Sequence, residues 1–267
     1  MLNSDQIDSA AAELFEAERN RTAIDPISLR HNNMDMADAY AIQKCWVDKK
    51  IANGQRVIGY KIGLTSRAMQ QTMKIDTPDY GVLLDDMLFE NNSEISAADF
   101  IDPRIEVELA FVLKKRLFGE NLSIEEVLDA TDYVQPALEL IAARSHRVHP
   151  DTGYTRNVFD TISDNAANAG IVLGPQKHAS DTYDLRWVGA IVSRNGEVEE
   201  TGLGAGVLND PVEGIVWLAQ RLAKYDRGIE AGQVILSGSF IRPVECTPGS
   251  KIHADYGPFG SVDVAFE

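Results

Sequence analysis

Apolar residues recur at helical spacing up to about residue 52, and the pattern then changes to short strand-like runs. The first part predicts two helices, one over about 4–20 and one over about 36–52 that begins after an Asp35 cap. The polar segment between them, DPISLRHNN, is expected to be a loop. The core side of the second helix is expected to carry Tyr40, Ile42, Cys45, Trp46 and Ile51.

From residue 56 onward, β-branched runs separated by glycines predict a series of short strands. The strongest local signal is the hairpin WVGAIVSRNGEVEETGLG, with Asn195 and Gly196 as its two-residue turn. One longer helix is expected over about 211–224. Three short strands, VILSGSF, KIHADYG and SVDVAFE, are expected to close the chain.

Many short strands and few helices favour an α+β fold, a mixed and mostly antiparallel β-roll with N-terminal helices, over a doubly wound sheet. We expect a single catalytic domain over residues 1–267. Within it, residues 1–55 are expected to form an N-terminal helical appendage. Residues 56–267 are expected to form the mixed β-roll core.

The run RIEVELAFVL, residues 104–113, carries two acidic residues in an apolar strand. Side chains alternate in a strand, so Glu106 and Glu108 share one face, which two apolar residues then continue. Two buried carboxylates repel each other and lose hydration unless a cation compensates. Glu139 lies in a second such run, and three carboxylates suit Mg²⁺ or Mn²⁺. A solvated acidic face on a half-exposed sheet is the alternative interpretation.

Two further residues are candidates for proton transfer. Lys61 lies between apolar neighbours in GYKIGLTS, where burial and a nearby divalent cation would both lower its pKa. A lysine that extends from a strand edge to solvent would give the same pattern. Asp79 lies in a Pro-Asp-Tyr-Gly turn, in which an aspartate commonly has only a turn-forming role.

The segment FDTISDNAANAG is a dense run of small polar residues before an apolar strand. Ser163, Asp164, Asn165 and Asn168 could orient a ligand or a metal-bound water. A helix cap with an Asx turn explains the same residues equally well.

Charge and cysteine content exclude several classes of protein. The chain has 25 Lys and Arg against 41 Asp and Glu, a net charge of −16, so nucleic acids and anionic membranes would be repelled. Two cysteines are too few for a disulfide framework and fit a reducing compartment. The first residues form an acidic amphipathic pattern without an apolar signal core, so we expect a cytoplasmic protein.

Taken together, these motifs resemble the fumarylacetoacetate-hydrolase-like superfamily, and within it the hydratases and decarboxylases of meta-cleavage pathways of aromatic catabolism. The likeness extends over nearly the whole chain and includes YKIGLTS, PDYGVLLDDM, PRIEVELAFVL, DYVQPALELI and FDTISDNAANAG. The resemblance implies that Glu106, Glu108 and Glu139 bind Mg²⁺, with Mn²⁺ as an alternative. It also implies that Lys61 and Asp79 are catalytic.

The same resemblance implies that Ser163 and Asn165 contact the substrate. We expect Arg144 to bind a distal carboxylate, although Arg30 and Arg242 are equally open on sequence alone. Members of the hydrolase branch use a His-Glu pair to activate water. His31 has no convincing partner glutamate, so carbon-carbon hydrolysis is disfavoured.

The activity implied by the resemblance is Mg²⁺-dependent addition of water to 2-oxo-hept-4-ene-1,7-dioate in homoprotocatechuate degradation. Hydration of 2-hydroxypentadienoate, decarboxylation of 4-oxalocrotonate and a non-catalytic companion role are the alternatives. The expected partner is a small 2-oxo dicarboxylate, with neither nucleic acid nor membrane. The resemblance further implies a ring-like homo-oligomer such as a decamer.

Overall fold

A computed structural model describes residues 1–73 and 75–267 and gives the bounds of the helices and strands. The helices are α1 (Ser4–Asn20), α2 (Ile27–Arg30), α3 (Met36–Ala52), α4 (Arg67–Met73), α5 (Ile124–Ala130), α6 (Val158–Ser163) and α7 (Pro211–Ala223). The strands are β1 (Val57–Gly63), β2 (Asp79–Leu84), β3 (Leu88–Phe89), β4 (Ser93–Ile95), β5 (Arg104–Leu113), β6 (Thr131–Ile141), β7 (Asn168–Leu173), β8 (Gly189–Arg194), β9 (Glu197–Leu203), β10 (Val234–Leu236), β11 (Val244–Glu245), β12 (Lys251–Asp255) and β13 (Ser261–Phe266).

The strands form two sheets. The larger has eight strands in the order β2-β1-β10-β5-β6-β7-β3, with β11 paired to β5, and the smaller has the order β4-β13-β12-β8-β9. The pairs β1/β10, β3/β7 and β4/β13 are parallel, whereas the remaining named pairs are antiparallel. The predicted mixed, mostly antiparallel α+β architecture with N-terminal helices is therefore confirmed.

Both long N-terminal helices were correctly predicted. The Asp35 side chain caps α3 by accepting hydrogen bonds from the backbone N–H groups of Ala37 and Asp38. The prediction that Ile51 lies in the core is wrong, since its side chain is 45% exposed. Five residues rotate a helix by about 140° beyond a full turn, so Ile51 does not share the face of buried Trp46.

The predicted loop DPISLRHNN contains the short helix α2 instead. Pro26 precedes its first residue, a position at which proline costs no hydrogen bond. Ile27 is fully buried and anchors the single turn to the main core. A four-residue helix has no repeating apolar pattern, so the sequence showed no periodic signal for it.

The later predictions of local structure are confirmed. Asn195 and Gly196 connect β8 and β9 with φ values of 55° and 87°, the left-handed pair typical of a two-residue hairpin turn. Helix α7 begins at Pro211 and ends at Ala223, and the Asp210 side chain caps it through the backbone N–H of Val212.

The two central strands of the larger sheet are covered on both faces. One face packs into the main core through Ile105, Val107 and Leu109. The other face contributes Ala110 and Val112 to a second buried cluster. Glu106 and Glu108, which lie on that second face, are therefore in surroundings with little water.

A close approach between backbones brings β1 beside β10. A Cβ atom at Gly59 would lie 1.8 Å from the carbonyl oxygen of Val234, so only glycine fits there. The resulting register pairs Lys61 with Leu236. This pairing sets the position of Lys61 along the larger sheet.

The N-terminal helices contact the sheet through a buried amide. Gln43 Nε2 on α3 donates to the carbonyl oxygens of Tyr80, at 2.8 Å, and Ile162, at 3.1 Å. The division into an appendage over 1–55 and a core over 56–267 remains a prediction. Within the described part of the chain, no helix is both long and apolar enough to cross a membrane.

Candidate metal centre and active site

The register between β5 and β6 brings three carboxylates together. Glu106 is paired directly with Glu139, and Glu108 follows two residues later on the same face. One oxygen of each side chain lies within 4.8 Å of one oxygen of the other two. Glu108 and Glu139 are fully buried, whereas Glu106 is partly exposed. The predicted acidic cluster is thus a buried site with an exposed side at Glu106.

In each of the two buried glutamates, one carboxylate oxygen accepts a hydrogen bond and the other has no partner. Glu108 Oε2 accepts a hydrogen bond from the backbone N–H of Gly238 at 2.6 Å, and Glu139 Oε1 accepts one from Asn168 Nδ2 at 2.9 Å. Within the described chain, Glu108 Oε1 and Glu139 Oε2 have no hydrogen-bond partner. Buried carboxylate oxygens without a partner are costly, and outer groups of this kind usually orient metal ligands. The three residues therefore fit a divalent cation.

The electrostatics of the cluster point to the same ligand class. Burial and then the neighbouring Glu139 raise the pKa of Glu106 to about 7. The same two causes raise the pKa of Glu108 well above its ordinary value. A divalent cation would stabilise the ionised forms, and an all-carboxylate donor set suits Mg²⁺ or Mn²⁺.

Lys61 makes a buried ion pair inside this cluster. Its Nζ lies 3.1 Å from Glu139 Oε1, and the lysine side chain is 4% exposed. Burial lowers the pKa of Lys61, but Glu139 first and then Asp79, Glu106 and Glu108 raise it by more, so the net shift is upward. Burial thus acts in the predicted direction, but the prediction left out the surrounding carboxylates, whose charge outweighs burial. The predicted effect of a bound cation stays a prediction.

Asp79 lies on the same face of the sheet as Lys61. It pairs with Gly63 across β1 and β2, and a Cβ atom at Gly63 would lie 2.2 Å from Asp79 Oδ1. The Asp79 side chain is buried, and burial raises its pKa to about 6 although the charge of Lys61 lowers it in part. A carboxyl group that titrates near neutral pH beside an ammonium group is suited to proton transfer.

Of the predicted substrate ligands, Ser163 is the last residue of α6 and Asn165 lies in the turn that follows the helix. Ser163 is buried, and its Oγ has no hydrogen-bond partner among the residues described. Asn165 instead pairs with a strand backbone, since its Oδ1 accepts from Val82 N at 2.8 Å and its Nδ2 donates to Val82 O at 2.9 Å. Ser163 has a free polar atom for a ligand, whereas the amide of Asn165 is used to hold β2.

Arg144 occupies a different environment from the one expected. Its Nη1 donates to Asp164 Oδ1 at 2.9 Å and its Nη2 donates to the carbonyl oxygen of Asn168 at 2.8 Å. The guanidinium also lies over the Trp46 ring, 4.8 Å from its centroid. Arg144 thereby links α3 and the end of α6 to β7, the strand that carries Asn168. They do not support the predicted role in substrate binding.

Two contacts that hold the site together are not predicted from the sequence. The backbone N–H of Gly238 binds Glu108 across 130 positions of sequence. The Tyr256 hydroxyl donates to the carbonyl oxygens of Ala137, at 2.6 Å, and Glu108, at 3.1 Å, and so fixes β5 against β6. The only local signal was the glycine in GSF, and a spacing rule cannot show which distant strand it meets.

Comparisons with known proteins agree with this geometry. A family model described as Fumarylacetoacetate (FAA) hydrolase C-terminal matches residues 55–265. The chain is 55% identical over 256 residues to 2-oxo-hept-4-ene-1,7-dioate hydratase of Escherichia coli, covering 96% of each chain. It is 37% identical over 262 residues to 2-keto-4-pentenoate hydratase of Paraburkholderia xenovorans, covering 98% of this chain and 95% of that one.

A solved structure is also similar over the full length. The 4-oxalocrotonate decarboxylase of Pseudomonas putida G7, complexed with magnesium and adipate, superposes with a TM-score of 0.94 at 32% identity. The match covers 100% of this chain and 99% of the decarboxylase chain.

Proposed function

Because the chain belongs to the fumarylacetoacetate hydrolase family, we propose that it is a metal-dependent hydratase that adds water to 2-oxo-hept-4-ene-1,7-dioate, giving 4-hydroxy-2-oxoheptanedioate. The observation that carries the proposal is the buried cluster of Glu106, Glu108 and Glu139, with two unused oxygens, beside Lys61 and Asp79. The greater similarity to the hydratase of Escherichia coli than to decarboxylases supports hydration as the reaction.

We assign Glu106, Glu108 and Glu139 as ligands of Mg²⁺, with Mn²⁺ as the alternative ion. When bound, the ion would polarise the keto group of a 2-oxo acid and stabilise negative charge on its oxygen. The magnesium in the related decarboxylase supports this assignment. Asn168 and the backbone of Gly238 keep the two buried carboxylates oriented through hydrogen bonds.

Asp79 accounts for the proton movements of the first step, and Lys61 takes part only in the second. In its ionised form, Asp79 takes a proton from carbon 3 of the substrate and returns it at carbon 5. The double bond thereby moves from carbons 4 and 5 to carbons 3 and 4, in conjugation with the ketone. In this scheme Lys61 keeps its proton throughout the first step and stays beside Glu139.

In the second step, the oxygen of water bonds to carbon 4. Asp79, ionised again, accepts a proton from that water, and Lys61 gives a proton to carbon 3. Proton transfer between the two side chains then restores the starting state. Ser163 Oγ remains our proposed hydrogen-bonding group for the substrate, since it is buried and unused among the residues described.

Decarboxylation of 4-oxalocrotonate is the second candidate, and the close structural likeness to a decarboxylase favours it. Both reactions use a 2-oxo acid head and pass through a dienolate, so the same carboxylates and the same lysine could serve either. A non-catalytic companion of a decarboxylase is the remaining alternative.

We also propose a homo-oligomer in a cytoplasmic setting. A groove of about 910 Å³ includes the exposed apolar side chains of Trp187, Ile191 and Leu203, beside Phe240 and Tyr256. Exposed apolar patches of this kind are typical of contact surfaces. The ring-like or decameric form remains a prediction.

One assay separates the three candidate functions. The purified protein is freed of metal, resupplied with Mg²⁺ and given either the 2-oxo-heptenedioate or 4-oxalocrotonate, and ultraviolet absorbance and carbon dioxide release are followed together. Loss of absorbance without gas from the heptenedioate supports the hydratase, and gas release from 4-oxalocrotonate supports the decarboxylase. No change in either signal would contradict both and support the companion role.

A further inference from the structure

Arg156 is a buried arginine outside the cluster of three glutamates, and its side chain makes few contacts with other polar groups. It directly precedes Asn157, the residue that caps α6. Its side chain contacts Asp164, the residue that follows the last residue of this six-residue helix. There, Nη1 lies 3.3 Å from Asp164 Oδ2, and the residue is 8% exposed.

The Asp164 carboxylate accepts hydrogen bonds from two arginines. Its Oδ1 accepts from Arg144 and its Oδ2 accepts both from Arg156 and from the backbone N–H of Arg144. Arg144 has further acceptors in the carbonyl oxygen of Asn168 and in Glu18, at 2.8 Å and 3.5 Å. Within the described residues, the long contact to Asp164 is the only hydrogen bond of the Arg156 side chain.

Asp160 has the other carboxylate in this region, and it already accepts hydrogen bonds from other groups. Asp160 accepts hydrogen bonds from the backbone N–H of Ser28 at 2.8 Å, from Ser28 Oγ at 2.5 Å and from the backbone N–H of Asn157 at 2.9 Å. Two guanidinium groups thus share the single carboxylate of Asp164 in a buried region. A buried cation with so few partners is costly unless an anion completes its shell.

Arg156 is also close enough to the proposed active site to act on it. Its charge lowers the pKa of Asp79, although burial leaves that pKa raised overall. Helix α6 ends at Ser163, next to the carboxylate that Arg156 contacts. The guanidinium therefore contacts the residue that directly follows Ser163, the serine that we propose as a substrate ligand.

We propose that Arg156 binds the second carboxylate of a dicarboxylate substrate, the one that is remote from the 2-oxo acid head. This inference rests on the proposed function, since it assigns a partner to the far end of the proposed substrate. A guanidinium matches a carboxylate through two parallel hydrogen bonds, and the match is strongest where water is excluded. In this role Arg156 would determine specificity for diacids.

The other candidate arginines are less suited to that role. Arg144 has both of its terminal Nη atoms engaged by protein acceptors, and only its Nε has no partner among the residues described. Arg30 makes a surface ion pair with Glu13, and Arg242 is 84% exposed and pairs with Glu200. Of these residues, Arg156 is the buried one whose terminal Nη2 has no hydrogen-bond partner in the described part of the chain.

The test compares two ligands of equal length, 2-oxoheptanedioate and 2-oxoheptanoate. Their binding to the Mg²⁺-loaded protein is measured by calorimetry, which needs no turnover and so does not depend on the reaction assigned above. We expect the wild-type protein to prefer the diacid and Arg156→Gln to bind it about 100-fold more weakly. Binding of the monoacid should change little.

Two further variants separate recognition from folding. Arg156→Lys keeps the positive charge but cannot form the bidentate hydrogen bonds of a guanidinium, so part of the preference for the diacid should remain. Arg144→Gln shares the same Asp164 and should lower stability without changing the preference. Equal loss of both ligands in Arg156→Gln, an unchanged preference, or a wild-type protein without any preference would each overturn the proposal.

Discussion

Lys61 Nζ and Glu139 Oε1 lie 3.1 Å apart and form an ion pair that is almost fully buried. Lys61 is on β1 and Glu139 is on β6, with β10 and β5 between them. In a flat sheet these strands would be about 14 Å apart, so the sheet must curl for the two side chains to meet. The ion pair places an ammonium group inside the cluster that we propose as the metal site.

Replacement of Lys61 should separate catalysis from metal binding. We expect Lys61→Met to lower kcat by about 10²–10⁴-fold, because a proton-transfer group is lost. Mg²⁺ should bind at least as tightly as before, since a neighbouring positive charge has been removed. Steady-state kinetics and calorimetry measure the two quantities. Full turnover in the variant would remove Lys61 from the mechanism, and loss of Mg²⁺ binding would make its role structural.

Replacement of a proposed ligand should act on the metal first. We expect Glu139→Gln to weaken Mg²⁺ binding by more than the about 10–100-fold that loss of an outer hydrogen bond costs. The matched control is Glu245→Gln, which alters an exposed glutamate paired with Arg104 on the neighbouring strand. Its Mg²⁺ affinity should equal that of the wild type. Similar affinities for all three proteins would contradict the ligand assignment.

The hydrogen bond from Asn168 to Glu139 should have a measurable effect on affinity. We expect Asn168→Ala to weaken Mg²⁺ binding by about 10–100-fold, because Glu139 loses the group that orients it. Asn121→Ala, at an exposed position, serves as the control. An affinity unchanged from the wild type would show that Glu139 needs no such support.

The stability of the metal-free protein should depend on pH in a defined direction. Glu106 has an ordinary pKa of 4.5 and a pKa of about 7 in the fold, so the folded state binds its proton more tightly. The stability that this proton gives is complete below about pH 4.5 and is lost as the pH rises through 7. Mg²⁺ binds the ionised carboxylates, so its stabilising effect should grow over the same interval.

Thermal unfolding with and without saturating Mg²⁺, between pH 5 and pH 8, measures this effect. The rise in Tm on adding Mg²⁺ should be larger at the upper end of the range. Glu139→Gln should show a much smaller rise at every pH. A rise that stays constant or shrinks with pH would show that the carboxylates do not control binding.

Arg144 should contribute to stability rather than to ligand choice. We expect Arg144→Leu to lower the free energy of unfolding by about 3–5 kcal/mol, because the buried Asp164 carboxylate then keeps only the 3.3 Å contact to Arg156 and one backbone N–H. Denaturant unfolding measures the change. A loss well below 1 kcal/mol would show that the ion pair is not structural.

The sequence predicted the residues of the site better than their contacts. Alternation along two strands was enough to place Glu106 and Glu108 on one face, because side-chain direction in a strand is a local property. The partners of Asn165 and Arg144 depend on which turn meets which strand, and no spacing contains that information. The raised pKa of Lys61 likewise depends on carboxylates from other strands.

The same distinction holds for the fold. The capped helix α3 and the Asn-Gly hairpin follow from short-range chemistry and were predicted at their bounds. The short helix α2 is fixed by burial of Ile27 against distant residues, and the exposure of Ile51 depends on where the core ends. Arg156 was not selected from the sequence, because its burial and its shared carboxylate exist only in the folded chain.

The anomalous X-ray signal of Mn²⁺, in crystals of this protein soaked with the metal and a 2-oxo acid, tests the three-glutamate site without any assay of turnover. We expect one strong peak at coordination distance from Glu106, Glu108 and Glu139, with the keto oxygen of the ligand on the same ion. Ordered carboxylates with no peak between them, or a peak bound by other residues, would contradict it.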